Sequence, residues 1–263
     1  MRYSLGLEYD GSVFFGWQRQ HQTATVQQSV EDALEVVADH PVTVVCAGRT
    51  DTGVHARGQV VHFDSEARRT QRQWILGINS NLPTAVRALW VRAVDDGFHA
   101  RFRACSRTYQ YTILNRWVSP AIGRTRLGWC RYPLDAERMN EAAQLLLGEH
   151  DFSAFRSAGC SANHAVRNVE AIRVIRRDDQ VMIDITANAF LYHMVRNIVG
   201  SLVSVGRGIK SMQWFAQVLQ SGDRKQAGKT AEPQGLCFVA VRYDPKYNLP
   251  ERVDAFPGSS DSQ

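Results

Sequence analysis

Apolar side chains alternate with polar or small ones near the start of the chain. Over residues 2–9 every second position is apolar: Tyr3, Leu5, Leu7 and Tyr9. A period of two places these side chains on one face of an extended backbone. The segment therefore predicts a half-buried β-strand.

Two helices with the same start signal follow in the first hundred residues. In this signal, the capping box, a Thr side chain bonds the backbone three residues on, where a Gln bonds back. The boxes run from Thr25 to Gln28 and from Thr70 to Gln73, and Pro41 ends the first helix. Apolar runs predict strands at 42–46, 59–63 and 86–94. The first half therefore has the order βαββαβ.

The second half of the chain repeats this order without repeating the sequence. Strands are predicted at 106–114, 169–177, 180–187 and 235–243, and helices at 135–148, 191–206 and 211–220. The first of these helices has Asp135 at its cap and Gly148 as its stop, and Gly200 permits close packing of the second on the sheet. Two such halves with antiparallel hairpins indicate an α+β protein, not a doubly wound one.

The domain organisation follows from this repeat. We predict one half over residues 1–100 and a second over 101–245. The polar end of the chain, taken as residues 246–263, is expected to be a flexible tail.

Charge and composition narrow the class of protein only moderately. Of the 263 residues, 44% are hydrophobic, and the formal net charge is +5. A basic excess is compatible with nucleic-acid binding. The basic residues comprise 27 Arg and 4 Lys. Because a base-composition bias in the genome also replaces Lys by Arg, the sign of the charge carries more weight than this ratio.

Cysteine usage and hydropathy point to a reducing cytoplasm. The five Cys are odd in number and form no CxxC pair, so neither a disulfide framework nor a zinc site is indicated. No run of 18 apolar residues predicts a membrane span, and the first ten residues lack the apolar core of a secretory signal. No sequence motif calls for a metal or an organic cofactor.

One loop carries the most specific cluster of chemistry, the stretch AGRTDTGVHARGQVVHF with Asp51 near its start. Its other charged or titratable side chains are Arg49, His55, Arg57 and His62. An Arg two residues from an Asp can aim its carboxylate, which suits a nucleophile at a sugar carbon. Aspartates that bond their own backbone in turns are common, so the residues by themselves favour a turn role.

Two other kinds of chemistry are excluded for this loop. Asp-Thr-Gly is the signature of acid proteases, but that chemistry needs two carboxylates sharing one proton. The triplet occurs once here, among long amphipathic helices. His55 and His62 are seven residues apart and lack the HExxH spacing of a metallohydrolase.

Two further segments offer partners for Asp51. Residues 97–113 interleave arginines with aromatic residues, which suits a surface that stacks bases and holds phosphates, but equally suits a core strand with solvated Arg on its other face. Residues 188–200 place Arg196 in an otherwise apolar helix. A buried Arg needs an anionic partner. For Arg196 this partner is either an acidic residue with a purely structural role or Asp51.

These segments together resemble the tRNA pseudouridine synthase A family. The resemblance rests on the Asp51 loop and on LEYDGSVFFGWQRQ, FHARFRACSRTYQYTI, FLYHMVRNIVG, VGRG and GLCFVAVRY, which cover residues 3–244 in the family's order. It implies an isomerase that converts uridine to pseudouridine at positions 38, 39 and 40 in the anticodon arm of tRNA. It also implies two ferredoxin-like halves joined through a central antiparallel sheet, a homodimer, and no cofactor.

The resemblance also implies roles for particular residues. Asp51 matches the catalytic carboxylate, Arg196 its basic partner, and Tyr109 the tyrosine that stacks on uracil and serves in proton chemistry. Leu236 matches the apolar wall of the pocket, and Arg49 is expected to contact the RNA. Further expected RNA contacts are Arg57, Arg101, Arg107 and His193.

The sequence departs from the family's pattern at Glu232 and Cys237, where the family usually has Pro and Tyr. Two alternatives also stay open. The chain could be an RNA-binding protein without catalysis, because ferredoxin-like halves often bind RNA. It could also be a pseudouridine synthase with another target RNA.

Overall fold

One ten-stranded sheet runs through residues 1–250, the part of the chain that the computed structural model describes. Its strands are β1 (Arg2–Tyr9), β2 (Val45–Cys46), β3 (His55–Asp64), β4 (Val86–Val94), β5 (Ala104–Asn115), β6 (Gly128–Cys130), β7 (Gly148–Asp151), β8 (Val166–Arg177), β9 (Gln180–Ala187) and β10 (Leu236–Tyr243). The helices are α1 (Val26–Ala38), α2 (Gln71–Asn81), α3 (Ala136–Gln144), α4 (Met194–Gly206) and α5 (Met212–Ser221). No helix within residues 1–250 is long and apolar enough to cross a membrane.

The order of the strands confirms two ferredoxin-like halves. The main path through the sheet is β4-β1-β3-β10-β5-β9-β8-β7, and β2 pairs with β3 off this path. In the first half, the order β4-β1-β3-β2 places the fourth strand beside the first, and the third beside the second. The order β10-β5-β9-β8 repeats this arrangement in the second half. The short strands β6 and β7, which the sequence pattern did not predict, are additions to the second half.

The two halves meet where β3 changes its partner. One stretch of β3 pairs with β2 through Val61 and His62, and an earlier stretch pairs with β10 through His55 and Ala56. This second pairing is parallel, within a sheet that is mostly antiparallel as predicted. A parallel pair is possible here because β3 and β10 are far apart in the chain and no hairpin joins them. The loop between β2 and β3, which contains Asp51, lies at this change of partner.

Each half buries its helices against the sheet. In the first half the ring of Trp74 on α2 contacts Tyr3 and Phe63 at centroid distances of 5.4 Å. In the second half Phe155 packs 5.9 Å from Phe215 of α5. All of these aromatic side chains are buried and belong to one hydrophobic core, which fixes the helices of both halves on the sheet.

Helix starts agree with the capping signals, and helix ends differ from them. Both bonds of the box at Thr70 are present, and Thr25 accepts from the backbone of Gln28. Helix α1 ends one residue before Asp39, whose left-handed φ of 61° stops it ahead of Pro41. Helix α3 ends at Gln144, four residues before the predicted stop, because Gly148, at φ +89°, opens strand β7 instead.

Helix α4 and strand β2 are both shorter than their patterns suggest. Helix α4 begins at Met194 because His193 has a left-handed φ of 59°. Strand β2 contains only two residues, although Val42 and Val44 are buried. The backbone N–H of Val44 donates to the carboxylate of Glu31 on α1, so this segment packs on the core without pairing in the sheet.

The first two residues of the predicted tail, 246 and 247, are part of the folded structure. Lys246 belongs to a 3-10 turn, Pro245–Tyr247, and the buried ring of Tyr247 packs 5.0 Å from Phe98. Residues 251–263, which make up most of the predicted tail, lie outside the described residues. The division of the chain at residue 100 stays a prediction.

The junction between the halves depends on the absence of a side chain at Gly58 of β3. A Cβ atom at this position would lie 2.2 Å from the carbonyl oxygen of Val239 on β10. We expect Gly58→Ala to lower the free energy of unfolding by roughly 1–3 kcal/mol, since the strands must separate to admit the methyl group. Urea denaturation measures this loss, with the exposed Thr43→Ala as a neutral control. Unchanged stability of Gly58→Ala would contradict this role of Gly58, because β3 and β10 would then accept the methyl group without loss.

Candidate active site

The Asp51 loop is held by hydrogen bonds from three elements. The hydroxyl groups of Tyr9 on β1 and Thr50 lie 2.8 Å apart, and the backbone N–H of Trp17 donates to the Thr50 carbonyl at 2.9 Å. The side-chain amide of Gln59 on β3 donates to the carbonyl of Gly48 at 2.6 Å. The side chains of Tyr9, Thr50 and Gln59 are buried, so the residues that lead into Asp51 have little freedom.

A tight turn then presents the Asp51 side chain. The backbone N–H of Val54 donates to the Asp51 carbonyl at 3.1 Å. Gly53, the third residue of this turn, has φ of +79°, a conformation that glycine adopts without strain. Asp51 is therefore a turn residue as well, but its turn uses the backbone carbonyl and leaves the carboxylate free.

The carboxylate contacts two side chains from the other half of the protein. Arg196 on α4 donates from a terminal nitrogen to Oδ2 of Asp51 at 3.4 Å, and Nε2 of His193 lies 3.3 Å from the same oxygen. The Asp51 side chain is 27% exposed. Oδ1 has no hydrogen-bond partner within residues 1–250. This arrangement can present one carboxylate oxygen as a nucleophile while the other is held.

The neighbouring Arg49 does not aim Asp51, contrary to what the spacing suggested. Arg49 is exposed and forms no hydrogen bond or ion pair within the described residues. The partner comes from 145 positions away in the chain. The sequence left open whether Arg196 pairs with Asp51 or with another acidic residue. In the structure its acidic partner is Asp51.

Arg196 is itself anchored by the segment that precedes β10. Its Nε donates to the carbonyl of Ala231 at 2.8 Å, and the Ala231 N–H donates back to the Arg196 carbonyl at 3.0 Å. Gly200 allows this contact, because a Cβ there would lie 1.7 Å from the carbonyl oxygen of Lys229. The close approach that Gly200 permits is therefore to this segment, and not to the sheet.

His193 lies at the start of α4, beside Asp51. Its Nδ1 lies 3.2 Å from the hydroxyl oxygen of Ser157, and its ring stacks on Tyr192 at 3.9 Å. Burial lowers the pKa of His193; Arg196 lowers it further, and Asp51 opposes both effects. The imidazole is therefore neutral near pH 7. The sequence suggested an RNA contact for this residue, and the contact with Asp51 was missed because nothing in the spacing links the two.

Tyr109 and two phenylalanines form the aromatic wall. The Tyr109 ring meets Phe190 edge-on at 5.0 Å and Phe238 of β10 at 4.8 Å. Its hydroxyl makes no hydrogen bond within residues 1–250, and burial raises its pKa, so the phenol stays protonated. Leu236, predicted to line the pocket, is buried at the start of β10, opposite Tyr111.

Arg107, one of the expected RNA contacts, is turned inward. Its terminal nitrogens donate to backbone carbonyls of Ala47, Arg101, Ala104 and Asn188. Burial lowers the pKa of Arg107. Its four terminal N–H groups are thus used to tie the start of the Asp51 loop to the segment before α4, so Arg107 acts by positioning.

The other expected RNA contacts lie in two places. Arg101 is exposed, 5.6 Å from the ring centroid of the equally exposed Phe102. Arg57 bonds Gln110 at 3.1 Å. Because Gln110 alternates with Tyr109 along β5, Arg57 lies on the opposite face of the sheet from the aromatic wall.

The two departures from the family's pattern do not alter this wall. Glu232 contributes its backbone carbonyl, which accepts from the Tyr111 hydroxyl at 2.8 Å, and its side chain is exposed. Cys237 lies beside Arg57, and burial raises its pKa. It alternates with Leu236 and Phe238 on β10, so it faces away from Tyr109.

The histidines of the loop have structural contacts. Nε2 of His55 lies 2.7 Å from the carbonyl of Thr125, and its Nδ1 accepts from Gly11. His62 accepts from the backbone of Ala100, and burial lowers its pKa to about 4. Among residues 1–250, no group of three His, Cys, Asp or Glu side chains is placed to hold a metal ion.

A carboxylate held by two side chains, next to a protonated tyrosine, is an arrangement that can carry out nucleophilic chemistry. The model of the tRNA pseudouridine synthase family matches residues 7–103 and 142–244. The protein named tRNA pseudouridine synthase A of Xylella fastidiosa strain M12 is 54% identical over 254 residues, 96% of this chain and 99% of that protein. The chain belongs to the tRNA pseudouridine synthase family, which confirms the resemblance drawn from its motifs.

Other comparisons differ in strength. A protein of the same name from Aeromonas hydrophila subsp. hydrophila is 51% identical over 251 residues, 95% of this chain and 93% of that protein. Among solved structures, a chain of a Cbf5-Nop10-Gar1 complex aligns over 90% of this chain and 48% of its own length at 12% identity. Its TM-score of 0.39 is too low to establish a shared fold.

The positioning role of Arg107 can be tested through stability. Arg107→Met leaves four carbonyl groups without their donor, so we expect the free energy of unfolding to fall by roughly 2–4 kcal/mol. Urea denaturation measures the change. The exposed Arg177→Met is the matched control and should change stability by less than about 0.5 kcal/mol. Equal effects of the two substitutions would contradict the role of Arg107.

Proposed function

We propose that this protein isomerises uridine to pseudouridine at positions 38, 39 and 40 in the anticodon arm of tRNA, with Asp51 as the nucleophile. The observation that carries the proposal is the Asp51 carboxylate near Tyr109, with Oδ2 held by Arg196 and His193 and Oδ1 without a partner within residues 1–250. The named relatives support the RNA substrate. The protein acts as a homodimer in the cytoplasm, without a cofactor.

The reaction exchanges one bond of the nucleoside for another. The uridine first leaves the base stack, because its glycosidic bond cannot be reached inside the stem. When Asp51 attacks C1′, the C1′–N1 bond breaks and uracil leaves with the bonding electrons. The uracil rotates, C5 bonds to C1′ and the Asp51 carboxylate is released. C5 then loses its proton and N1 gains one. Attack of Asp51 on the uracil ring is the alternative first step.

Arg196 and Tyr109 have separate parts in this mechanism. Arg196 supplies positive charge next to Asp51, and its anchored guanidinium keeps the carboxylate aimed throughout the reaction. Tyr109 stacks against the uracil. Its hydroxyl is protonated and unbonded within the described residues, so it can exchange a hydrogen bond or a proton with the base or a water.

Exposed cations next to the site supply contacts with the RNA backbone. Arg49 is two residues from Asp51 and has no protein partner within residues 1–250. Arg101 and the exposed ring of Phe102 offer a cation and a stacking surface together. Arg57, on the other face of the sheet, would require RNA to reach around the edge of the molecule.

An RNA-binding protein without catalysis is the competing function. It would use the same basic residues, but phosphate binding has no use for a carboxylate held by two donors next to an unbonded tyrosine. The family match and the geometry of Asp51 therefore favour the enzyme.

The decisive variant is Asp51→Asn, compared with wild type on an unmodified tRNA transcript that has uridines at positions 38 to 40. The substitution removes the nucleophile and keeps the shape of the side chain, so we expect tRNA binding to persist and pseudouridine formation to stop. Pseudouridine mapping by sequencing measures the product. Asp178→Asn, in an exposed turn, is the matched control with full activity. Turnover by Asp51→Asn at the wild-type rate would contradict the nucleophile, and binding without product in wild type would favour the competing function.

The hydroxyl of Tyr109 has a separate test. Because it makes no hydrogen bond within residues 1–250, Tyr109→Phe should leave the melting temperature unchanged. Loss of proton transfer should slow single turnover roughly 100-fold or more. Rapid-quench measurements with enzyme in excess give the rate. An unchanged rate would limit Tyr109 to stacking.

A further inference from the structure

A chain of partly buried hydrogen bonds leads from Arg224 to the Asp51 carboxylate. Arg224 donates to the side-chain oxygens of Asn197 at 3.0 Å and Thr230 at 2.8 Å. Because a guanidinium only donates, both oxygens act as acceptors there. The hydroxyl proton of Thr230 is then left for Asn197 Oδ1, 2.7 Å away. The oxygen of the Asn197 amide is thereby identified.

The other end of the Asn197 amide confirms this orientation. Its nitrogen donates to the carbonyl of Phe155 at 2.7 Å, and a carbonyl can only accept. The second N–H of the amide donates to the hydroxyl oxygen of Ser157 at 3.2 Å. Asn197 is fully buried on α4, so every polar atom of its side chain has a fixed direction.

The same logic sets the protonation of His193. Ser157 accepts from Asn197, and within residues 1–250 His193 Nδ1, 3.2 Å away, is the one acceptor in reach of its own proton. A ring nitrogen that accepts cannot carry a proton, so the neutral imidazole carries it on Nε2. That nitrogen lies 3.3 Å from Asp51 Oδ2. The imidazole thus donates to the carboxylate.

We propose that Arg224, Asn197 and Ser157 hold His193 in its neutral Nε2–H form as a positioning residue that donates to Asp51 Oδ2, so that Oδ1 is the oxygen that attacks. This proposal rests on the proposed function of Asp51 as a nucleophile. Two donors on one oxygen fix the rotation of the carboxylate. The other oxygen, without a donor inside the described residues, faces the substrate with its lone pairs free.

The charges around His193 agree with this assignment. Arg196 and Arg224 face the ring, as does the carboxylate of Asp51, and Tyr192 stacks on it. Burial and the two cations favour the neutral ring over the imidazolium. A neutral donor also leaves Asp51 with only one full positive charge beside it, which keeps the carboxylate more nucleophilic than two cations would.

The first test is a two-bond ¹H–¹⁵N correlation spectrum at pH 7 of the full-length protein labelled with ¹⁵N-histidine. The pattern of His193, assigned by its loss in His193→Gln, should show a proton on Nε2 and an unprotonated Nδ1. Ser157→Ala should give a mixture of the two neutral forms. A wild-type ring protonated on Nδ1, or on both nitrogens, would overturn the proposal. This spectrum needs neither substrate nor activity.

The second test separates positioning from RNA binding. Ser157→Ala should slow single turnover on the tRNA transcript by roughly 10- to 100-fold. This is the range for residues that orient a metal ligand through a hydrogen bond, and Ser157 orients His193 in the same way. The dissociation constant for tRNA should not change, and Ser157→Thr should restore the rate. Ser204→Ala removes a hydroxyl of α4 whose one hydrogen bond within residues 1–250 is to the Gly200 carbonyl, and it is the control with full rate.

The outcomes of the second test also decide between roles for His193. If His193→Gln weakens tRNA binding without slowing the bound complex, His193 is an RNA contact and the proposal is overturned. An unchanged rate in Ser157→Ala also overturns the proposal. If the Ser157→Ala protein does not fold, the rate of His193→Phe is measured in its place. If the wild-type protein is inactive, the proposed function is overturned. The ¹H–¹⁵N spectrum would still show which nitrogen of His193 carries the proton, because it does not depend on activity.

Discussion

The contact between Asp51 and the start of helix α4 is the interaction on which the site depends. It joins residues 145 positions apart, one from each half of a protein whose buried apolar side chains form one continuous core within residues 1–250. A largely buried arginine is costly without an anion, so Arg196 and Asp51 stabilise each other's placement. The parallel pairing of β3 with β10 makes this contact possible, because it brings the Asp51 loop against the segment that leads into β10.

Rigidity around this contact comes mainly from polar groups that bond backbone carbonyls. Gln59 and Thr50 hold the loop, Arg107 ties it to neighbouring segments, and Arg196 bonds the backbone of Ala231. Such fixed surroundings suit the nucleophile role proposed for Asp51, because no reorganisation is needed as charge develops in the reaction. The carboxylate itself is partly exposed, which the proposed contact with a substrate requires.

The alternation of side chains along the central strands separates two surfaces. Tyr109, Phe238 and Leu236 lie on the face of the site, and Arg57 and Cys237 lie on the other. This separation explains why the unusual residue at 237 leaves the aromatic wall unchanged. It also means that a basic residue close to Asp51 in the sequence is not thereby close to it in space.

Periodicity, capping signals and turn chemistry are local, so the two βαββαβ halves, the capped helix starts and the Asp51 motif could be predicted from the residues alone. The remaining features became visible only in the folded protein. Spacing could not show that Arg107 bonds four carbonyls, or that Asp51 is partnered by Arg196 and His193 instead of Arg49. Such contacts join residues far apart in the chain, and they depend on strand order and on which face of a strand each side chain occupies, which only the assembled sheet fixes.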